Sequence, residues 1–471
     1  MTPNFLTRVI EELGLLSIHR SPIDTKLLCL QRFVRLFAYG GSTLVLALHL
    51  SALGISDVRI GLFMTLTLAG DVLISFWLTL VADSLGRKAI LALGAVLMTV
   101  SGIVFALSGN YWVLLAAAIL GVISPSGNEI GPFRAIEEST LAHLTPAANR
   151  SDVYAWYSLI GTAGTAFGMI TCGWVVHNLQ SVRKWDNVRA YRMIFFAYAA
   201  VGAIKFCLTC ALSRRIEAEK RLPRVVSEPA DQETALLLPD GADVEPKAKR
   251  SFFALFPDIS TESRVIVVNL CVLFALDSFA SGLAPLSWVT YFFKRKFDLQ
   301  EGFLGSLFFV TSIIAAASML IASSISKRFG NTMVFTHLPS AIALALIPIP
   351  SSLPFAVFFL ILRSCTQSMD VAPRSAFLAA VVLPNERTAV MGAINVVKTF
   401  SQSLGPLITG FLATKGLFWV AFVTAGCLKA AYDLGMLAVF SGHKSREDRD
   451  AEEEEAAEQE RLRESENPDE R

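Results

Sequence analysis

Charged residues are scarce in this chain of 471 residues: Asp, Glu, Lys and Arg make up 17% of it, hydrophobic residues 53%, and the mean hydropathy is +0.53. A water-soluble chain of this length needs more polar groups to cover its surface, so lipid is the expected solvent for most of this one. Cysteine is sparse as well. The seven (Cys29, Cys172, Cys207, Cys210, Cys271, Cys365 and Cys427) lie in or beside apolar stretches. They lack the spacing of a disulfide framework or a zinc site, which leaves them as small packing residues and gives no metal site. No Gly-x-x-x-x-Gly-Lys-Ser/Thr loop is present, which argues against an ATP-driven pump. Before Phe33 stand Glu11, Glu12, Arg20 and Lys26, too polar for the core of a cleavable signal peptide, so the first apolar stretch is expected to act as the insertion signal. Neither enzymatic activity, nor a cofactor, nor a nucleic-acid partner is expected.

Long apolar runs are abundant. A helix rising ~1.5 Å per residue needs roughly 20 apolar residues to cross the hydrocarbon core. Twelve windows meet that length, near 33–53, 59–81, 89–108, 111–131, 152–178, 191–212, 265–291, 301–323, 332–350, 353–372, 388–413 and 417–440. Twelve spans return both termini to one side. Placing the amino terminus inside gathers most Lys and Arg in the inner connections, as the positive-inside rule requires. Two groups fall on the outer side: Arg183, Lys184, Arg189 and Arg192, and Lys294, Arg295 and Lys296. Snorkelling helix ends are the preferred reading of both, ahead of an external electrostatic feature.

The expected organisation is an inner amino-terminal segment (1–32), a six-span bundle (33–212), an inner linker (213–263), a second six-span bundle (264–440) and an acidic inner tail (441–471). The linker is marked by its shift to Pro, Glu, Asp, Lys and Arg. The two sixes also look alike. Arg150 and Arg387, Gly168 and Gly405, and Gly173 and Gly410 match at one constant offset, and Pro146 and Pro384 precede the two arginines in equivalent loops. Such internal matching marks a membrane protein built from two repeats about a pseudo-symmetry axis. The fold class expected is an all-α membrane protein of twelve transmembrane helices in two pseudo-symmetric six-helix bundles.

Between the second and third windows stands Thr79-Leu80-Val81-Ala82-Asp83-Ser84-Leu85-Gly86-Arg87-Lys88. Asp83 can cap the positive end of a helix starting at the inner face, and Arg87 and Lys88 can pair with acids there, latching the two halves together. A plain positively charged turn is the alternative. The stretch Lys327-Arg328-Phe329-Gly330-Asn331 is a degraded copy in the second half. In its two sixes, its long inner linker and this loop, the chain resembles the major facilitator superfamily, whose motif reads Gly-x-x-x-Asp-Arg/Lys-x-Gly-Arg-Arg/Lys. Asp83, Gly86, Arg87 and Lys88 match, while Thr79 replaces the first Gly and Ser84 a cation. The resemblance covers about residues 33–440 and implies alternating access by two rocking bundles, with the motif holding the outward-facing state.

Ionisable groups within a span cost ~2.5–3.5 kcal/mol each on insertion scales, so each calls for a partner, a water-filled cavity or a function. Asp71, with Thr67 and Ser75 one turn away, and Asp277, with Ser281, lie on polar stripes. They are candidates either for proton coupling or for pairing with Arg363 or Lys398 that holds helices in register. The tenth span aligns Arg363, Asp370 and Arg374, and the eleventh aligns Asn395, Lys398 and Gln402. Together they suggest a cavity wall able to grip a carboxylate or phosphate. Neutralisation of Arg363 by Asp370 or Asp277 is the competing reading. Pro373 beside Arg374 allows a gating bend.

The fourth span is interrupted by Pro125, Gly127, Gly131 and Pro132 and accumulates Glu129, Arg134, Glu137 and Glu138. Glu129, Arg134 and Arg374 are inner-gate candidates. The preferred reading is a helix leaving the membrane early, its acids meeting Arg150 or Arg387. Gly161, Gly164, Gly168 and Gly173 give the fifth span a small-residue face. Drug-efflux members of the superfamily carry a Gly-Pro there, and here it lies in the eleventh span, Gly405-Pro406. Lys429 and Asp433, four residues apart, are expected to neutralise each other.

The function expected is secondary active transport of a small organic or ionic solute, coupled to protons. Proton-driven efflux and a non-transporting sensor or scaffold are the alternatives. The plasma membrane is the expected location. Acid-dileucine patterns at Glu11–Leu16 and Glu233–Leu238 keep vacuolar or endosomal membranes open.

Overall fold

In hydrocarbon every backbone N–H and C=O has to be satisfied within its own segment, so long apolar runs fold as helices. The computed structural model describes residues 15–121, 123–126, 132–146, 149–217, 261–329, 333–369 and 387–440. A short α1 (Leu15–Arg20) leads into α2 (Ile23–Ala52), α3 (Asp57–Leu85), α4 (Arg87–Leu107), α5 (Tyr111–Leu120), α6 (Pro132–Leu144), α7 (Arg150–Ser181) and α8 (Asn187–Ala211). The second bundle comprises α9 (Thr261–Leu283), α10 (Leu286–Phe297), α11 (Glu301–Phe329), α12 (Met333–Leu346), α13 (Leu353–Thr366), α14 (Arg387–Thr414) and α15 (Phe418–Phe440). Among the described residues, seven helices are long and apolar enough to cross a membrane, and shorter apolar helices stand at three further windows. Of the windows that remain, α3 and α14 occupy one each, which matches the expected order of twelve spans.

Three boundaries differ from the hydropathy windows, each for a local reason. The first helix begins at Ile23 because its polar first turns are held by packing: Asp24 accepts hydrogen bonds from the Ser213 backbone N–H at 2.8 Å and from Ser213 Oγ at 2.5 Å. The fourth span is two helices. Its first helix stops at Leu120, residues 123–126 are not helical, and α6 carries charges up to Leu144 that hide it from a hydropathy count. The seventh span breaks at Pro285, between α9 and α10.

Depth in the bundles follows from burial. The most apolar stretch of α2 is 83% buried, whereas that of α8 is 39% buried, so α2 is enclosed while α8 turns one face to lipid. Close crossings are made by small residues. A Cβ on Gly164 would meet the Phe33 carbonyl oxygen at 2.6 Å, bringing α7 against α2, and one on Gly405 would meet the backbone of Gly282 in α9. Between bundles, a Cβ on Gly173 would lie 2.9 Å from Gly305 Cα (α7 on α11), and one on Gly410 would lie 3.1 Å from Gly61 Cα (α14 on α3). A Cβ on Gly168 would likewise meet the Phe37 carbonyl of α2, so the repeat pairs Gly168/Gly405 and Gly173/Gly410 occupy equivalent positions. The first of each pair touches the leading helix of its own bundle or the facing bundle as its mate does, which is the geometry of a pseudo-two-fold axis.

Candidate functional site

The ends of α3 and α11 that carry Asp57 and Glu301 lie on the face that the positive-inside count assigns to the outside. On this outer face the two bundles are tied together. Arg295 Nη1 of α10 donates to Asp57 Oδ2 at 2.7 Å, and Tyr291 Oη donates to Asp57 Oδ1 at 2.9 Å. Tyr191 Oη of α8 donates to Glu301 Oε1 at 2.7 Å, and Lys294 Nζ lies 3.3 Å from the same oxygen. Below this layer, Ser287 Oγ donates to the Thr43 carbonyl at 2.9 Å, and the Ser287 backbone N–H donates to the Pro125 carbonyl at 3.2 Å. Asp57 and Glu301 stand at equivalent helix starts, one turn before the crossing glycines Gly61 and Gly305. Each acid binds a group of the opposite bundle. An outer cleft of about 440 Å³, lined by Ser51, Asn187, Tyr191, Tyr291 and Lys294 among others, opens above the seam.

Inside the first bundle one carboxylate is surrounded by cations. Glu137 of α6 accepts from Arg35 Nη2 at 2.6 Å and from Tyr157 Oη at 2.5 Å, with Lys205 Nζ at 3.8 Å. Arg35, Lys205 and Glu137 are each no more than 1% exposed. Arg32 stacks over the Tyr157 ring at 4.3 Å from its centroid and donates to Tyr157 Oη at 3.2 Å. Four spans therefore meet at a single acid. Removing it would strip several buried cations of a shared carboxylate, the costly way to break such a network.

The second bundle distributes its charges in pairs. Lys429 Nζ of α15 lies 2.5 Å from Asp277 Oδ1 of α9. One turn further along α15, Asp433 meets His337 Nδ1 of α12 at 2.9 and 3.0 Å. Lys398 sits over the Phe274 ring, 5.4 Å from its centroid. Arg363, half-buried near the middle of its span, makes no ion pair or side-chain hydrogen bond among the described residues.

The family model of the Major Facilitator Superfamily matches residues 28–363 and 270–466, which together cover most of the chain. The chain belongs to the major facilitator superfamily. It is similar to the uncharacterized membrane protein YJR124C of Saccharomyces cerevisiae, 37% identical over 430 residues, covering 89% of this chain and 94% of that protein. Its fold is similar to a bacterial homolog of the human lysosomal transporter Spinster in an inward-facing conformation (TM-score 0.62, 17% identity, 88% of this chain and 94% of that one). It is also similar to a D-xylose–proton symporter (TM-score 0.65, 16% identity, 88% and 97%). The protein is accordingly a multi-pass membrane transporter of this superfamily.

In the superfamily's motif loop, Gly86 takes φ of 92°, a conformation that a side chain would strain, and starts α4 without a side-chain cap. The Glu217 carboxylate fills that place, accepting from the backbone N–H of Arg87 at 2.7 Å and of Lys88 at 3.1 Å, a carboxylate at the positive end of a helix. Lys88 Nζ donates to the carbonyls of Leu212 at 2.6 Å and Cys210 at 2.9 Å. The described contacts of Arg87 and Lys88 run to the end of α8 in the same bundle, with the outer face tied shut, whereas the latch across the halves is expected of the outward-facing state. The side chain of Asp83 lies outside the described residues.

Some expected pairings are replaced among the described residues. Asp277 takes Lys429 as its ion-pair partner instead of Arg363 or Lys398, and Asp433 takes His337 instead of Lys429. Lys294 and Arg295 at the outer helix end bind acids. Glu137 turns into its own bundle, while Arg150 donates to the Ala142 carbonyl at 3.0 Å, so these two do not meet as the early-exit reading of the fourth span had it. Arg134, 44% exposed, pairs with Glu138 within α6 at 2.7 Å. Asp71 is buried, Gln402 half-buried and Asn395 exposed. Arg363 stands on α13, which packs on α11 and α12, and Lys398 on α14, which packs on α3, α9 and α15. Glu129, Asp370 and Arg374 lie outside the described residues. Sequence reasoning missed Arg35, Lys205 and His337, buried charged or titratable groups within spans, and the same cost argument that selected Asp71 and Asp277 would have found them.

Proposed function

We propose that the chain is a secondary active transporter that moves a small organic or ionic solute by alternating access and is coupled to protons. The observation that carries this reading is the outer seam. Asp57 held by Arg295 and Tyr291, and Glu301 held by Tyr191, join the two bundles through side chains that can separate without unfolding either. A seam of a few ionic hydrogen bonds suits a joint that opens and closes, because its net worth is small beside that of packed cores. The conformation is thus one closed to the outside.

We assign coupling to Asp277. A carboxylate within a span that is bonded to Lys429 ties α9 to α15, and proton uptake there releases the lysine and loosens the two helices. Asp71, buried in the facing bundle, is the second candidate. Purified full-length protein in liposomes tests the reading. Solute movement driven by a pH gradient is expected, with Asp277→Asn abolishing the gradient-driven component and leaving solute exchange. Binding without any movement would leave a sensor in place of a transporter, and full gradient coupling in Asp277→Asn would remove the coupling role from that residue.

A further inference from the structure

We propose that the solute site recognises a small anion bearing a carboxylate or phosphate group, and that Arg363 is the residue that grips it. The proposal rests on the transport reading above for its place in the cycle, and on the charge arrangement of the second bundle for its content. Every other cation described within the spans of that bundle has a partner: Lys429 has Asp277, and Lys398 has the Phe274 ring. His337 shares Asp433. Arg363 has neither an ion pair nor a side-chain hydrogen bond among the described residues.

Its position excludes the bland explanations. Arg363 follows the first residue of α13 by ten positions, which at ~1.5 Å per residue sets it about 15 Å below the outer end, near the middle of a ~30 Å core. Snorkelling from that depth has the whole of one leaflet to cross. Nor does it face lipid. The lipid side of α13 is marked by Phe355 at 64% exposed, Phe358 at 57% and Leu362 at 36%, which recur at helical spacing. Arg363 is turned away from that stripe, on the side of Ala356 two turns earlier, which is fully buried. A permanently charged guanidinium, half-buried at mid-depth and turned inward, is stable only where water or an anion can reach it.

A guanidinium presents a planar fork of donors that matches the paired oxygens of a carboxylate or phosphate, so the ligand class follows from the group that is left open. The paired charges around it sharpen the choice. With Asp277 bonded to Lys429 and Asp433 to His337, neither described acid of these spans is free to neutralise a cationic solute. An arriving anion would supply the counter-charge that α13 lacks, stabilising the loaded carrier over the empty one.

The test uses purified full-length protein. Succinate, citrate, glycerol 3-phosphate and inorganic phosphate are compared with the neutral compounds xylose and uridine and with the cation tetraphenylphosphonium, by thermal stabilisation and by counterflow in liposomes. At least one anion is expected to raise the melting temperature of the unaltered protein, and Arg363→Gln to weaken that binding about ten- to a hundredfold. Arg363→Lys, which keeps the charge and loses the fork, is expected to retain part of the affinity and to guard against misfolding as the cause. Stabilisation by none of the anions, or undiminished anion binding in a folded Arg363→Gln, overturns the proposal. Counterflow of a neutral or cationic solute with no anion binding also overturns it while leaving the transport reading standing. An anion that binds through Arg363 and is never carried removes transport and leaves the anion site.

Discussion

Asp57→Asn isolates what the outer seam contributes. Asn keeps an oxygen to accept the hydrogen bond from Tyr291 but removes the charge that holds Arg295 at 2.7 Å. Asp57 is 14% exposed and Arg295 50%, so the pair lies between an exposed ion pair, worth ~0–1 kcal/mol, and a buried charged hydrogen bond, worth ~1.5–3 kcal/mol. A loss of about 1–2 kcal/mol from the outward-closed state shifts the balance of two conformations by a factor of about 5–30. The weaker attraction between the Asp57 charge and the start of α3 is lost in both states and does not enter the difference. Ser287→Cys, in a background with the seven native cysteines replaced, supplies the reporter, because Ser287 is 1% exposed beneath the seam. Its labelling by a membrane-impermeant maleimide added outside should speed up by about 5–30-fold in Asp57→Asn, the reporter's own effect cancelling between the two backgrounds. A rate unchanged within about twofold would refute the argument that this ion pair closes the outer side.

The remaining predictions concern charge pairs and crossings. Glu137→Gln leaves Arg35 and Lys205 without their carboxylate and is expected to cost about 3–5 kcal/mol. A melting temperature unchanged in detergent would show that the cluster is not held by that acid. Lys429→Met should destabilise by a similar ~3–5 kcal/mol, and adding Asp277→Asn should restore most of it, since removing both partners removes the uncompensated charge. Equal melting temperatures for the single and double variants would contradict the pairing. Gly173→Leu should force α7 from α11 at the crossing with Gly305 and abolish transport in protein that still inserts. Normal uptake would mean that the bundles do not need that close approach.

Much of the fold was legible in the sequence because membrane spans write themselves as long apolar runs, and because Gly173 and Gly410 recur where the bundles must touch. What hydropathy passed over were the helical stretches that carry charge, α6 with Arg134, Glu137 and Glu138, and the first turns of α2 with Asp24. Partner choice was less legible. Periodicity shows which residues share one helix face, and so Lys429 and Asp433 looked like each other's partners. It does not show how a helix is rotated against its neighbours, and that rotation gives Lys429 to Asp277 and Asp433 to His337. Two of the outer cations have partners that periodicity hides in the same way. Lys294 and Arg295 follow an apolar run, as snorkelling residues do, and the acids that bind them stand at the starts of other helices.

Alternating access requires two bundles that rock about a shared centre. Spin labels at Arg183→Cys and Lys415→Cys report the outer separation of the bundles, and labels at Leu85→Cys and Arg264→Cys report the inner one. Measured by pulsed electron resonance with and without the transported solute, across a range of pH, the outer distance should lengthen under the conditions in which the inner distance shortens. Two distances that stay fixed under every condition, or that lengthen together, would contradict alternating access in this protein.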